Sequence, residues 1–347
     1  MNARVGIIGV GGAGAMHLKA YLSAPDLRVV AIADVDESRL YGVKVPPEVS
    51  RYTNHNDLLT AGELDAVCVA TPVATHETVV EDCAKNGIDV LCEKPLEATV
   101  EAAERMVSAC RYHKVLLGYA ASYRYLPAVR RAKEIVQSGA LGEILFLQEQ
   151  SIGGADIGEP QPMGFAHYPE GGPGGGGMGL VDHGVHFIDA FPWILGDEVV
   201  EVSGRGNISG EAMGSEWFVM KFAGGAVAML CYNESVCSPT TPHEGLFSLG
   251  EGWDVGSGLV TAGQWSKTPS NFSICGTKGA LRVYHYANRL FQSVGGTVTE
   301  IPLHEPPAPA HFAAQMREFA NAAMNGVSAP VSAEDGVRAL RLLNDVY

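Results

Sequence analysis

The feature that most constrains this chain is a glycine pattern set between two apolar runs. Gly9, Gly11 and Gly14 form G-x-G-x-x-G. With 42 glycines in 347 residues, the pattern alone carries little weight. Its setting carries more. Val5 to Val10 reads as a buried strand, and Ala15 to Ser23 as a helix with Ala15, Leu18 and Leu22 on one face. A second apolar strand ends at Asp34, twenty residues after Gly14. That is the spacing of a dinucleotide-binding βαβ unit. In such a unit Gly9 makes the tight turn, Gly11 clears the approach of a pyrophosphate, and Gly14 lets helix and strand pack closely. Gly12 and Ala13 share the loop, where the helix N-terminus offers N–H groups and a positive dipole to phosphates. Asp34 can accept hydrogen bonds from both ribose hydroxyls, and its charge repels a 2′-phosphate. Val35, Asp36 and Glu37 follow it with no arginine directly after, so NAD is expected rather than NADP.

Beyond Asp34 the first third keeps alternating strands with helical stretches: Val49–Tyr52, Asp57–Leu59, Asp65–Ala70, Thr75–Asn86, Asp89–Cys92, Thr99–Tyr112 and Lys114–Gly118. Alternation of this kind predicts an α/β domain, a doubly wound parallel sheet covered on both faces, over residues 1–120. The pattern then changes. A helix over Leu126–Gln137 and a strand over Ile144–Ile152 lead into a Gly- and Pro-rich loop, 153–179. Leu180–Leu195 reads as a helix, and from Val199 to Val294 strands follow one another with turns between. This predicts an α+β domain over 121–347 with an open, mainly antiparallel sheet. Residues 236–269 read as a long excursion near a substrate pocket or a subunit contact. Two helices, Pro309–Asn325 and Ala333–Val346, close the chain, and these last helices can pack back on the first domain.

The formal net charge of −15 disfavours nucleic acid or an anionic membrane as partner. No apolar run approaches the roughly 20 residues of a membrane span. Seven scattered cysteines without a C-x-x-C pair read as reduced, mostly buried thiols. With no signal-like segment before the first strand, a cytoplasmic protein is expected.

Two constellations can carry chemistry. Glu93-Lys94-Pro95 follows a short strand of the parallel sheet, at the edge where ligands bind in such sheets. Lys94 there can hydrogen-bond a substrate hydroxyl and stabilise the alkoxide as hydride leaves; a surface loop lysine is the plainer alternative. Pro95 fixes the turn and is a candidate for a cis bond. The second constellation is Asp182-His183-Gly-Val-His186-Phe-Ile-Asp189. On an α-helix Asp182 and His186 share a face, with Asp189 near it. A carboxylate beside an imidazole suits a general base near neutral pH; two core or capping histidines are the alternative. A metal site is disfavoured, because Asp182 and His183 point about 100° apart on a helix.

Together these motifs resemble the Gfo/Idh/MocA oxidoreductases over nearly the whole length. The motifs are Gly9-Val-Gly-Gly-Ala-Gly14 with Met16-His17, Thr71-Pro-Val-Ala-Thr-His76, Glu93-Lys94-Pro95, and a Gly-rich segment from Gly174 into Asp182-x-Gly-x-His186-x-x-Asp189. The resemblance implies a Rossmann domain, a second domain whose open sheet forms the subunit contact of a homodimer or homotetramer, and a sugar, cyclitol or other polyol as substrate. It gives Lys94, Asp182 and His186 the catalytic roles: His186 as base or acid, Lys94 as holder of the reacting hydroxyl, Asp182 as substrate ligand. It also places Thr71, Pro72, His76, Glu93 and Lys94 at the cofactor. Tyr123, Arg124, His167 and Tyr168 become candidates to line a substrate pocket at the Rossmann edge.

Three departures from the family pattern stand out. Ser122 replaces an asparagine common before Arg-x-x-Pro, here Arg124 to Pro127. The segment Val45-Pro-Pro-Glu48 shortens the usual second helix. The chain also ends soon after its last expected helix. Two other functions stay as alternatives. One is a glycosidase or epimerase that oxidises transiently and recycles its NAD. The other is a non-catalytic nucleotide-sensing protein, which would not need Lys94 and His186.

Overall fold

The computed structural model describes residues 3–61, 64–151, 179–206, 215–232, 247–248, 252–253 and 271–346. The chain divides into two compact units, residues 1–122 with 309–340, and residues 123–308 with 341–347.

The first unit opens with β1 (Ala3–Ile8), α1 (Gly12–Leu22) and β2 (Leu27–Ala33). A short α2 (Glu37–Gly42), β3 (Ser50–Tyr52) and α3 (His55–Thr60) follow. Then come β4 (Ala66–Val69), α4 (His76–Lys85), β5 (Val90–Cys92), α5 (Val100–His113) and β6 (Leu117–Tyr119). The six strands pair in the order β3-β2-β1-β4-β5-β6, all parallel. That order reverses between β1 and β4, the switch point where a dinucleotide fold opens its crevice. The central strands β4 and β5 are unbroken apolar runs because both sheet faces are covered there. Val5, Ile7, Ile32, Val67, Val69 and Val90 are fully buried. The second helix, expected to be reduced, is the six-residue α2, capped by the Asp36 carboxylate, which accepts from the Ser38 and Arg39 amides.

The second unit holds α6 (Pro127–Gln137), β7 (Ile144–Ser151), a π turn (Leu180–Gly184) and α7 (Val185–Leu195). Strands follow: β8 (Val199–Arg205), β9 (Glu216–Phe222), β10 (Val227–Tyr232), β11 (Phe247–Ser248), β12 (Gly252–Trp253), β13 (Phe272–Gly276), β14 (Gly279–Tyr284), β15 (Arg289–Val294) and β16 (Thr297–Ile301). Eight of them form one sheet, β16-β15-β14-β13-β7-β10-β9-β8, antiparallel except for the β7–β10 pair. A separate pairing of β11 with β12 lies inside the expected excursion, the rest of which is outside the described residues. The β15–β16 hairpin turns at Gly295-Gly296, both with positive φ. That glycine pair is a hairpin signal the strand reading did not use.

The chain closes with α8 (Ala310–Asn325) and α9 (Ala333–Asn344). α8 belongs to the first unit and packs against α1. Arg317 pairs with Asp26, and the Phe319 ring fills the space above Gly118, where a Cβ would lie 2.7 Å from it. No described helix is long and apolar enough to cross a membrane.

Candidate active site

In the first unit the chemistry-bearing segments gather at the carboxyl ends of adjacent strands. The glycine loop follows β1, Asp34 follows β2, Thr71-Pro72 follows β4, and Glu93-Lys94-Pro95 follows β5. The loop's shape dictates its glycines. Gly9 has φ +88°, and a Cβ on it would lie 2.5 Å from the Ala70 carbonyl oxygen. At Gly14 a Cβ would lie 2.0 Å from the Gly9 carbonyl oxygen. A Cβ on Gly11 would find Arg39 nearest, with Nη1 at 3.1 Å. Gly12 and Ala13 are exposed, and no side chain caps the helix that they begin. The first-turn N–H groups are therefore presented to an anion.

The Asp34 carboxylate is fixed on both oxygens. Its Oδ2 accepts the Val10 amide at 2.9 Å, and its Oδ1 accepts the Asp36 amide at 2.9 Å. The carboxylate is thus tied to the glycine loop itself. This arrangement fits a nicotinamide dinucleotide: a clear loop and helix N-terminus for the diphosphate, and a held carboxylate within the same edge. The sequence reading passed over one cation. Arg39, in α2, brings its guanidinium beside Gly11 while its Nε lies 3.3 Å from Asp36 Oδ2. Its position five residues after Asp34 hid it from a search for an arginine directly following.

Behind this edge two buried histidines hold the loops. His76 is 1% exposed, with Nδ1 at 3.1 Å from the Leu96 carbonyl and Nε2 at 2.9 Å from that of Thr71. Burial pulls its pKa below the ordinary imidazole value, and the neutral ring donates its one N–H to one of these carbonyls while its other nitrogen lies against the second. It links the Thr71-Pro72 loop to the turn after Pro95, and the Lys94–Pro95 bond is cis. His17, in α1, is fully buried and donates from Nε2 to Glu93 Oε1 at 2.7 Å. Glu93 Oε2 accepts the Lys94 amide at 2.9 Å. Glu93 is 5% exposed, so it stands as a support behind Lys94, which is itself partly exposed.

In the second unit the segment expected as one helix begins instead as a π turn over Leu180–Gly184. Tyr232 crowds this turn: a Cβ on Gly179 would lie 2.6 Å from the Tyr232 Cβ, and one on Gly184 3.0 Å from its ring. Buried Glu216 accepts the Leu180 amide at 2.9 Å, a carboxylate at a helix start. A π turn holds an extra residue, so the four-residue step from Asp182 to His186 is not one α-helical turn. What fixes the His186 ring is a stack on Tyr123, with centroids 3.8 Å apart and planes 4° apart. The Tyr123 hydroxyl reaches Tyr286 and lies 3.5 Å from His183 Nδ1. His183 Nε2 lies 3.1 Å from Glu149, which is fully buried.

Asp189 does not join the Asp182–His186 face. It forms a two-pronged pair with Arg124, at 2.7 Å from Nε and 2.5 Å from Nη2, with side chains 2% and 7% exposed. The guanidinium expected to meet substrate is held by this carboxylate. His167, Tyr168 and the Gly174 end of the glycine-rich segment lie outside the described residues. Sequence reasoning gave no role to His17, Glu149 or the pairing of His183. For His17 a signal existed: it stands four residues before Tyr21 on α1, whose hydroxyl lies 2.8 Å from its Nδ1.

Residues 3–121 match the family described as an oxidoreductase family with an NAD-binding Rossmann fold, and residues 129–282 match the GFO/IDH/MocA C-terminal domain. The rhizopine catabolism protein MocA of Rhizobium meliloti is 26% identical, covering 98% of this chain and 92% of its own. Inositol 2-dehydrogenase of Rubrobacter xylanophilus is 31% identical over 61% of this chain and 57% of its own, a match to little more than half of either. An aldose-aldose oxidoreductase from Caulobacter crescentus, crystallised with glycerol, shares the fold at a TM-score of 0.76 and 21% identity, covering 100% of this chain and 97% of its own.

Proposed function

The chain belongs to the Gfo/Idh/MocA oxidoreductase family, and from that premise we propose that it is an NAD-dependent dehydrogenase acting on a hydroxyl carbon of a sugar, cyclitol or sugar derivative. The observation that carries this reading is the carboxyl edge of the parallel sheet, where the glycine loop, the tethered Asp34 carboxylate and Lys94 close adjacent strands. Inositol, in the name of one relative, is a polyol of the class proposed.

When bound, NAD supplies the hydride acceptor. Gly11, Gly12 and Ala13 present backbone N–H groups to its diphosphate, and Asp34 accepts from the ribose hydroxyls. Lys94 donates to the reacting oxygen and lowers the cost of negative charge on it. His186 takes the hydroxyl proton, its ring plane fixed by Tyr123. Asp182 binds a neighbouring substrate hydroxyl. The free, buried thiols Cys68, Cys83, Cys92 and Cys110 suit a reducing cytoplasm. The test is a screen of polyols, aldoses and glycosides while NADH absorbance is followed. NADH accumulating with a polyol or aldose supports the reading. Conversion of a glycoside with no net NADH points to the recycling alternative.

A further inference from the structure

The first unit contains a buried polar array that the proposed chemistry does not use. His17 of α1 bonds both Tyr21 and Glu93, Cys68 of β4 interacts with His17 and Tyr21, and Cys92 of β5 and His76 of α4 lie within reach of the Glu93 charge. Phe312 of α8 closes the array by packing on the His17 ring at 4.3 Å between centroids. A carboxylate in such a place is costly unless it is paired and hydrogen-bonded. Glu93 is both. His17 donates to one oxygen at 2.7 Å and the Lys94 amide to the other at 2.9 Å.

We propose that His17 and Glu93 are a positioning pair for Lys94, in which the imidazole anchors a buried carboxylate that serves as the fixed counter-ion of the Lys94 ammonium. Three observations meet in this assignment. The carboxylate is held on both oxygens, so it cannot swing away from the turn. Its anchor stands on α1, the helix that begins at the glycine loop, so the element that receives the diphosphate also fixes the lysine turn. The charges also act on each other: burial alone would raise the Glu93 pKa, yet His17 and the Lys94 cation outweigh it and hold the carboxyl below its ordinary value. For His17 burial opposes the charged ring, and Cys68 and Glu93 outweigh that opposition and raise its pKa. A lysine beside a fixed anion stays protonated and poor as a nucleophile, which suits a donor to an alkoxide.

The inference rests on the proposed role of Lys94 only for its effect on turnover, and its test reads Lys94 itself. The cofactor-free full chain is pulsed with an acetylating reagent between pH 6 and 10, and the Lys94 peptide is quantified by mass spectrometry against exposed Lys85. Glu93→Gln should speed Lys94 acetylation at pH 8 roughly tenfold, the consequence of losing one nearby opposite charge. His17→Leu removes the donor, so Glu93 takes up a proton and the same acceleration follows. His17→Gln keeps an N–H for the carboxylate and should remain near wild type. NAD affinity and a cooperative melt report that each variant is folded; if Glu93→Gln fails there, the two His17 variants decide. Equal Lys94 profiles in wild type and His17→Leu overturn the proposal. A profile that shifts as expected upholds it whatever turnover does, because the role of Lys94 in the reaction is read separately from Lys94→Ala.

Discussion

Asp34 and Arg39 act in opposite directions on one choice of cofactor. The carboxylate, tied to the Val10 amide, favours two ribose hydroxyls over a phosphate. The guanidinium beside Gly11 offers a cation to a 2′-phosphate. Charge repulsion at the fixed carboxylate should dominate, and NAD should bind at least about tenfold more tightly than NADP, a gap of about 1.4 kcal/mol. Fluorescence titration of both cofactors checks this: Asp34→Ala should narrow the gap and Arg39→Ala should widen it. Comparable affinities in wild type would remove the argument. The catalytic assignments make a separate prediction. His186→Ala and Lys94→Ala should each lower turnover roughly 10²- to 10⁴-fold with NAD affinity retained. Normal turnover by His186→Ala would reduce that imidazole to a packing partner of Tyr123. Glu97 gives a third test, through pH. It is 7% exposed, with Oε2 lacking a hydrogen-bond partner among the described residues. Burial pushes its pKa up to about 7. A carboxyl raised in the folded state stabilises the fold below its unfolded pKa of about 4.3, and that contribution is lost as pH rises through the folded value. Glu97→Gln should therefore raise stability at pH 8 by roughly 1–3 kcal/mol and change little at pH 4. Parallel melting curves at the two pH values would contradict it.

Whole elements are held by pairs that sequence spacing does not reveal. Arg124 stands in the turn before α6 and Asp189 within α7, 65 residues apart, and their buried pair joins the two helices. Asp189→Asn keeps the shape but removes the buried carboxylate charge from the guanidinium, so it should destabilise the chain by about 3–5 kcal/mol. Urea unfolding measures this, and a loss under about 1 kcal/mol would mean that Arg124 finds another partner. The same contrast decides what could be read in advance. The glycine loop was legible because its backbone leaves no room for a Cβ at Gly9 or Gly14. The central parallel strands were legible because burial on both faces leaves only apolar residues there. The π turn was not, since its packing partner Tyr232 is 48 or more residues away while the local apolar spacing still reads as a helix. The same holds for His17 with Glu93, which are 76 residues apart. Sequence named both as members of motifs, but only the fold shows that one supports the other.

At the scale of the molecule, the eight-stranded sheet packs one face on described helices and carries an apolar strip on the other, over β9 and β10. Phe218, Met220, Ala228 and Leu230 point inward and are fully buried, and Phe187 and Phe191 of α7 meet Phe272 on this sheet. On the outward positions stand Trp217, 40% exposed, with Val219, Val227 and Met229 partly exposed. An antiparallel sheet facing water alternates apolar with polar residues; on β9 and β10 the outward Trp217, Val219, Val227 and Met229 depart from that, with Lys221 at the end of the strip. Charges border the strip on the same face, where Lys221 of β9 lies 3.3 Å from Glu201 of β8. An apolar centre beside charged residues is how an interface is built, so a homodimer or homotetramer joined through this face is expected. Light scattering at micromolar concentration checks it, and a monomeric wild type would overturn it. Val219→Asp should lower the mass to that of one chain while the far-ultraviolet spectrum stays unchanged. The salt response adds a sign. Each chain carries a formal charge of −15, so copies repel, while the contact itself is apolar. Added salt screens the repulsion and leaves hydrophobic association intact. The dissociation constant should fall as ionic strength rises; a rise instead would mean that ion pairs join the subunits and that the apolar face of β9 and β10 is not their contact.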